Sequence, residues 1–207
     1  MPDLASLDLP TEIHTPRLLL RIPSMQDVEP FQNLMALSHE HLQRWMAWAC
    51  TLPEIQVTRE RMEQSIQFFH DRKEHLRFMI VRRSDAALMG TSIFNFLDWD
   101  TPKAEIGYWL GKDFTGQGYM REAVQAMLEY GFNEMKLHRI EICTDEENLA
   151  SRRIPEKLGF TLEAVLREER RHHLHPEKYI NFCIYGLLER EYRGQIPNWS
   201  HTPDLML

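Results

Sequence analysis

The chain has 207 residues, 43% hydrophobic and 27% charged, which is enough for one domain with a real core. Its formal net charge of -7 argues against nucleic-acid binding, which wants a basic face, and no apolar run approaches the length of a membrane span. Three widely spaced cysteines, Cys50, Cys143 and Cys183, form neither a zinc motif nor a CxxC pair; with no basic-then-apolar leader, reduced thiols and a cytoplasmic location are expected.

Residues 1–14 hold two prolines and little periodicity and read as an exposed leader. Arg17–Ile22 reads as a strand. Pro23 and Ser24 then open a helix, with Ser24 as N-cap and Asp27 near the capping-box position, and its pattern runs through Val28, Phe31, Leu34 and Met35 toward Trp45. The bulky stretch Trp45, Met46, Trp48 reads as core packing, with the wall of a substrate cleft as the alternative. A second helix is expected from about Thr58 to Arg72, followed by strands at 77–81, 87–94 and 103–110. Ser84-Asp85 and residues 98–102 supply the turns between them. A third helix follows, then an alternating strand at 138–144 and a short helix from Asn148 to Leu158, stopped by Gly159. Two strands, 160–166 and 179–188, come next, and the tail after Arg193 reads as irregular.

The third helix carries the strongest chemical signal. Gly116 and Gly118 stand between the strand 104–110 and a helical face made of Ala123, Val124, Met127, Leu128, Gly131 and Phe132. A helix start presents unpartnered N–H groups and the positive end of the dipole, and glycines let the backbone approach a ligand closely. Strand, glycine turn and helix together favour a bound phosphate, although an ordinary turn has the same outline. The spacing is neither the dinucleotide fingerprint nor a P-loop.

The order of elements, with the words Thr15-Pro-Arg-Leu-Leu-Leu-Arg21, Glu105-Ile-Gly-Tyr-Trp109, Gly116-Gln-Gly-Tyr-Met-Arg-Glu-Ala123, Asn148-Leu-Ala-Ser-Arg-Arg153 and Glu156-Lys-Leu-Gly-Phe160, resembles the GNAT superfamily of N-acetyltransferases. Within it the chain looks like the branch of ribosomal-protein N-terminal alanine/serine acetyltransferases. The resemblance covers about residues 12–190 of a single 1–207 domain. It implies an α/β fold: a mixed, mostly antiparallel seven-stranded sheet with four helices, split in a V between the fourth and fifth strands. It also implies acetyl-CoA as cosubstrate, no metal, and an amine acceptor. The acceptor is expected to be a protein N-terminus, with a small amine (polyamine, amino acid or drug) as the alternative; a non-catalytic CoA-binding sensor is the non-enzymatic rival.

Transferred residue by residue, the resemblance assigns the pyrophosphate to Gly116, Gln117, Gly118, Tyr119, Met120 and Arg121. Thr115 and Met120 depart from the family pattern, which leaves the backbone N–H groups as the main contacts. Arg121 either adds charge there or is a surface helix arginine. Asn148 is expected on the pantetheine arm and Ser151 beside the departing thiolate, or both as helix caps. Pro155 occupies the position where many members carry a proton-donating tyrosine. Glu105 is expected as the base, with Gly107 leaving room beside it, and Glu168 and Glu169 as weaker candidates. By strand alternation Glu105, Gly107 and Trp109 share one face. His172, His173 and His175 lack a zinc spacing and read as a loop bordering the acceptor cleft. The Trp-rich segment and the tail offer surfaces through which two copies could pair as a homodimer.

Overall fold

The computed structural model describes residues 7–199. The chain runs β1 (Glu12–His14), β2 (Leu18–Arg21), α1 (Val28–Leu37), α2 (His39–Gln43), α3 (Ile55–Asp71), β3 (His75–Arg82), β4 (Leu88–Asp98) and β5 (Lys103–Leu110). It continues through α4 (Tyr119–Asn133), β6 (Arg139–Asp145), α5 (Leu149–Lys157), β7 (Thr161–Arg171), β8 (Tyr179–Leu188) and α6 (Glu189–Trp199). The strands form one sheet in the order β1-β2-β3-β4-β5-β6-β8-β7. Every neighbouring pair is antiparallel except β5 and β6, which run parallel.

That parallel pair makes the V. It is hydrogen-bonded only from Lys103–Arg139 to Glu105–Glu141. Beyond Glu105 the two strands separate, and each pairs onward with its other neighbour. The expected split is therefore present, with Glu105 at its apex.

Alternation along the strands sends side chains to two cores. On one face Phe78, Ile80, Phe94, Ile106 and Ile140 pack against Ala123, Val124, Met127 and Leu128 of α4. On the other, Met79 and Trp109 pack against Val28, Phe31 and Met35 of α1 and Met62 of α3. Ile106 and Trp109 thus fall on opposite faces, as their spacing requires.

The element count departs from expectation in three places. Residues of the supposed leader form β1, and the Pro10 carbonyl accepts a hydrogen bond from the Tyr130 hydroxyl at 2.7 Å. The first long helix breaks at the buried Ser38, whose hydroxyl accepts the Lys112 N–H at 3.1 Å, so α2 is a separate turn. The segment from Glu189, including residues after Arg193, is the helix α6 rather than irregular chain; acidic residues occupy its first turn, and Tyr192 stacks on Phe132 at 4.8 Å. The sheet has eight strands and the chain six α-helices among the described residues, against seven and four expected. The end of the tail, residues 200–207, lies outside the described residues.

Candidate active site

A cleft of about 790 Å3 opens where β5 and β6 separate. Its floor is Ile106 to Leu110 on one side and Cys143 to Asp145 on the other; its ends are the loop before α4 and the first turns of α5.

The loop before α4 has the backbone that phosphate binding needs. Gly116 and Gly118 lie at φ 74° and 78°, a region a Cβ makes costly. Gly118 is the N-cap of α4, and no side chain caps the helix start, so the first N–H groups remain for a ligand. A second copy of order comes from the N-terminal strand region: Glu122 in the first turn of α4 accepts from Arg17 Nε at 2.6 Å, the Arg17 N–H at 2.9 Å and Thr15 Oγ1 at 2.6 Å. Arg17 also lies over the Tyr119 ring at 4.4 Å. The Thr15-Pro-Arg17 word therefore fixes the helix start.

Gly116, Gly118, Tyr119, Met120 and Arg121 all line the cleft. Gln117 does not line it: its side chain donates back to the Asp113 carbonyl at 3.0 Å, because the two flanking glycines turn it away from the cleft. Sequence reasoning missed Arg153 and Lys157, which also line the cleft and bring cationic charge to it. Their i, i+4 spacing on α5 was the available signal.

At the other end, Asn148 caps α5, its Oδ1 accepting the Ser151 N–H at 3.1 Å. Both residues also line the cleft, so capping and a cleft-facing position coexist. Ser151 has a partner that the sequence did not suggest. The Tyr108 hydroxyl lies 3.1 Å from Ser151 Oγ and donates to the Ser151 carbonyl at 3.2 Å. Pro155 explains the second contact. It stands four residues after Ser151, inside α5, and has no N–H to give to that carbonyl. Tyr108, reaching from β5, supplies the missing donor. Burial, opposed by the Ser151 contact, holds the Tyr108 phenol above its ordinary pKa and hence protonated.

Glu105 opens onto a second cavity, of about 670 Å3, on the α1/α3 side of β5. Gly107, Tyr108, Trp109, Trp45, Met46, Ala47 and Arg170 line both spaces, so the two meet across β5. Burial raises the Glu105 pKa above its ordinary value; a hydrogen bond from the Cys143 thiol works against this and the facing Glu141 adds to it. Cys143 itself is pushed up to about 12 by burial and by Glu105, so it is a neutral thiol and no nucleophile. Gly107 lines both spaces beside Glu105, but the position of a Cβ is itself crowded: it would meet Asn95 Nδ2 at 2.9 Å and Ile93 Cγ2 at 3.2 Å, both from the neighbouring strand.

Glu168 and Glu169 are exposed on β7 and line neither cavity. Glu168 lies at φ 54° where the pairing of β7 with β8 slips, which turns this stretch outward; its N–H bonds Asn181 Oδ1 at 2.9 Å. The tryptophans are cleft wall rather than core: Trp45 lines both spaces and Trp48, 41% exposed, leans on Trp109 at 5.9 Å. The histidine stretch is the turn between β7 and β8. His172 Nδ1 accepts the Leu174 N–H at 3.1 Å, and the His173 ring reaches the Gln43 carbonyl at 2.6 Å. That contact ties the turn to α2 across the cleft mouth, and His173 lines the cleft.

The family model for the acetyltransferase (GNAT) domain matches residues 17–161. The chain belongs to this family of acetyl-CoA-dependent N-acetyltransferases and has its fold. It is 36% identical to the uncharacterized N-acetyltransferase p20 of Bacillus licheniformis over 57% of this chain and 65% of that protein. It is 28% identical to the ribosomal-protein-serine acetyltransferase of Escherichia coli (strain K12) over 68% of this chain and 77% of that enzyme. A crystal structure of a probable acetyltransferase superposes with a TM-score of 0.77 at 27% identity, covering 86% of this chain and 96% of that one. Among the described residues no helix is long and apolar enough to cross a membrane.

Proposed function

We propose that the protein moves an acetyl group from acetyl-CoA to the N-terminal amine of a protein, in the cytoplasm, as one acetyltransferase domain spanning 1–207. The observation that carries this reading is the junction at β5. A cleft that ends on an uncapped helix start meets, across Gly107–Trp109, a second cavity that holds a carboxylate of raised pKa. The pyrophosphate would bind the N–H groups at the start of α4, with Arg121, Arg153 and Lys157 supplying charge. The pantetheine would lie in the V between β5 and β6, along Asn148.

In this reading Glu105 takes the proton from the acceptor ammonium, directly or through a water. The free amine attacks the thioester carbonyl, the C–N bond forms, and the C–S bond breaks as the tetrahedral intermediate collapses. The leaving thiolate accepts a hydrogen bond from the Ser151 hydroxyl, which Tyr108 holds in place, and the second proton of the attacking nitrogen passes to the thiolate through Ser151 or solvent, leaving a neutral amide and a neutral thiol. No acyl-enzyme is involved, which agrees with the neutral state of Cys143. A protein acceptor is favoured by the name of the Escherichia coli relative and by the second cavity, which opens beside the exposed Trp48. Incubation with acetyl-CoA and short peptides beginning with serine or alanine tests it. The expected result is a single acetyl group at the α-amine, located by mass spectrometry. Acetylation confined to lysine side chains, or to small amines, would overturn the protein N-terminus.

A further inference from the structure

The second cavity carries more positive charge than its one carboxylate can balance. Arg61, Arg77 and Arg170 line it against Glu105 alone. This is unusual within the protein, which has 31 acidic residues against 24 lysines and arginines. Several arginines elsewhere are paired: Arg17 with Glu122, Arg21 with Asp27, Arg82 with Asp85, and Arg139 with Glu141 and Glu163. Arg77 is half-buried on β3, and among the described residues its side chain makes a single hydrogen bond, from Nε to Ser65 Oγ at 3.3 Å. Neither Arg77 nor Arg61 forms an ion pair among the described residues. Burial and the neighbouring Arg61 bring Arg77 down to about 10, still a full cation at neutral pH. His75, which shares Ser65 with Arg77, is neutral, held near 4 by burial and by Arg77, and offers no countercharge. A half-buried guanidinium with four unused N–H donors is expensive to keep unless a ligand completes it.

We infer that this cavity takes an acceptor that carries an anionic group, a carboxylate or phosphate, at a fixed distance from its amine, with Arg77 and Arg61 holding the anion. The inference rests on reading the cavity as the acceptor side. Sheet register sets the distance. Arg77 pairs with Ile93 and Ile93 with Gly107, while Glu105 lies one row along, opposite Asn95. Two strand spacings and two residues put the Glu105 and Arg77 Cα atoms roughly 12 Å apart. Phe31, Trp45, Trp48 and Trp109 line the span between the charges, so the connecting part of the acceptor meets apolar walls. An extended peptide covers about 10 Å in three residues, which places an acidic side chain near the fourth position of an N-terminal segment. A small molecule with a carboxylate eight or so bonds from its amine would span the same gap. A polyamine would not fit, because its second cation would meet Arg77.

Calorimetric titration of the full-length protein, with and without saturating coenzyme A, separates these sources. The probes are three hexapeptide amides that begin with serine and carry aspartate, asparagine or lysine at the fourth position, together with 8-aminooctanoate and octylamine. A charge-assisted bond predicts that the aspartate peptide binds about tenfold or more tightly than the asparagine peptide, with lysine weaker still. Discrimination among the peptides assigns the anion to a protein N-terminus, and discrimination only between aminooctanoate and octylamine assigns it to a small amine. Arg77→Met and Arg61→Ala should each shrink the ratio, and Arg77→Lys should keep part of it. Arg61 is exposed, so its removal leaves the fold intact and keeps the test valid if Arg77→Met does not fold. Equal binding within each pair, a preference for lysine, a preference that survives both substitutions, or no binding of any probe would overturn the inference. Coenzyme A binding is read on the same samples: its absence alongside an intact anion preference would sink the acetyl-transfer reading and leave the anion site standing.

Discussion

Tyr108→Phe removes one hydroxyl and leaves the ring, and its cost can be worked from the contact it makes. In the folded protein that hydroxyl donates to the Ser151 carbonyl at 3.2 Å, a group that Pro155 denies its helical partner. Without it a partly buried carbonyl is left unpaired, at about 1–3 kcal/mol. For a chain of this size each kcal/mol lowers Tm by about 2–4 °C, so a loss of roughly 2–12 °C is expected by calorimetry or circular dichroism. The explanation makes a sharper demand. Pro155→Ala restores an N–H four residues after Ser151, which can bond the same carbonyl. Tyr108→Phe should therefore cost less in the Pro155→Ala background, with a coupling above the ~0.5 kcal/mol expected of independent sites. Equal losses in both backgrounds would refute the account of why Tyr108 points at α5. Turnover supplies an independent reading: Tyr108→Phe frees the Ser151 hydroxyl to rotate, and kcat should fall while the Kd for acetyl-CoA stays near its original value.

Two further predictions concern the base and the phosphate loop. Burial raises the Glu105 pKa, so its ionised form is disfavoured in the folded state, and below that pKa the base is protonated and inactive. The acid limb of kcat/KM should therefore fall above the ordinary carboxylate range, and Glu105→Gln should abolish that limb along with most of kcat. The stability sign is opposite to the activity sign. A raised carboxylate pKa costs stability at pH values above it and nothing below the unfolded pKa, so Glu105→Gln should raise Tm at neutral pH and leave it unchanged near pH 3; a lower Tm at neutral pH would contradict the burial argument. Gly118→Val puts a branched side chain at φ 78° on the cap of α4. Acetyl-CoA binding should drop by at least tenfold, with a stability loss of about 1–2 kcal/mol per misplaced backbone; unchanged binding by calorimetry would remove the loop from the phosphate site.

Much of this architecture was written locally. Gly116, Gly118 and the apolar face of α4 announce a strand–turn–helix because glycine and 3.6-residue periodicity act over a few neighbouring residues. Alternation in β5 placed Ile106 and Trp109 on opposite faces, where the two cores now hold them. Three-residue β1 carries too short a pattern to register and exists through pairing with β2. The break at Ser38 depends on Lys112, 74 positions away. The tryptophans looked like core because large aromatics are mostly buried, and only the assembled fold shows two cavities beneath them. Tyr108 lay in plain view on a strand, but its contact with Ser151 spans 43 positions, and no spacing rule connects them. The local clue was Pro155, which orphans a carbonyl wherever it falls inside a helix. The charge surplus of Arg61 and Arg77 likewise appears only when α3 and β3 are laid against β5.

The central claim is that the cleft between β5 and β6 holds acetyl-CoA with its phosphates at the start of α4. Thermal unfolding in acetyl-CoA, with adenosine as the control ligand, tests it most directly. A ligand at 100 times its Kd that binds only the folded state adds about 2.7 kcal/mol, or roughly 5–10 °C here. The account predicts a shift of that size with acetyl-CoA, none with adenosine, and its loss in Gly118→Val. No shift at saturating acetyl-CoA, or an equal shift in Gly118→Val, would contradict it.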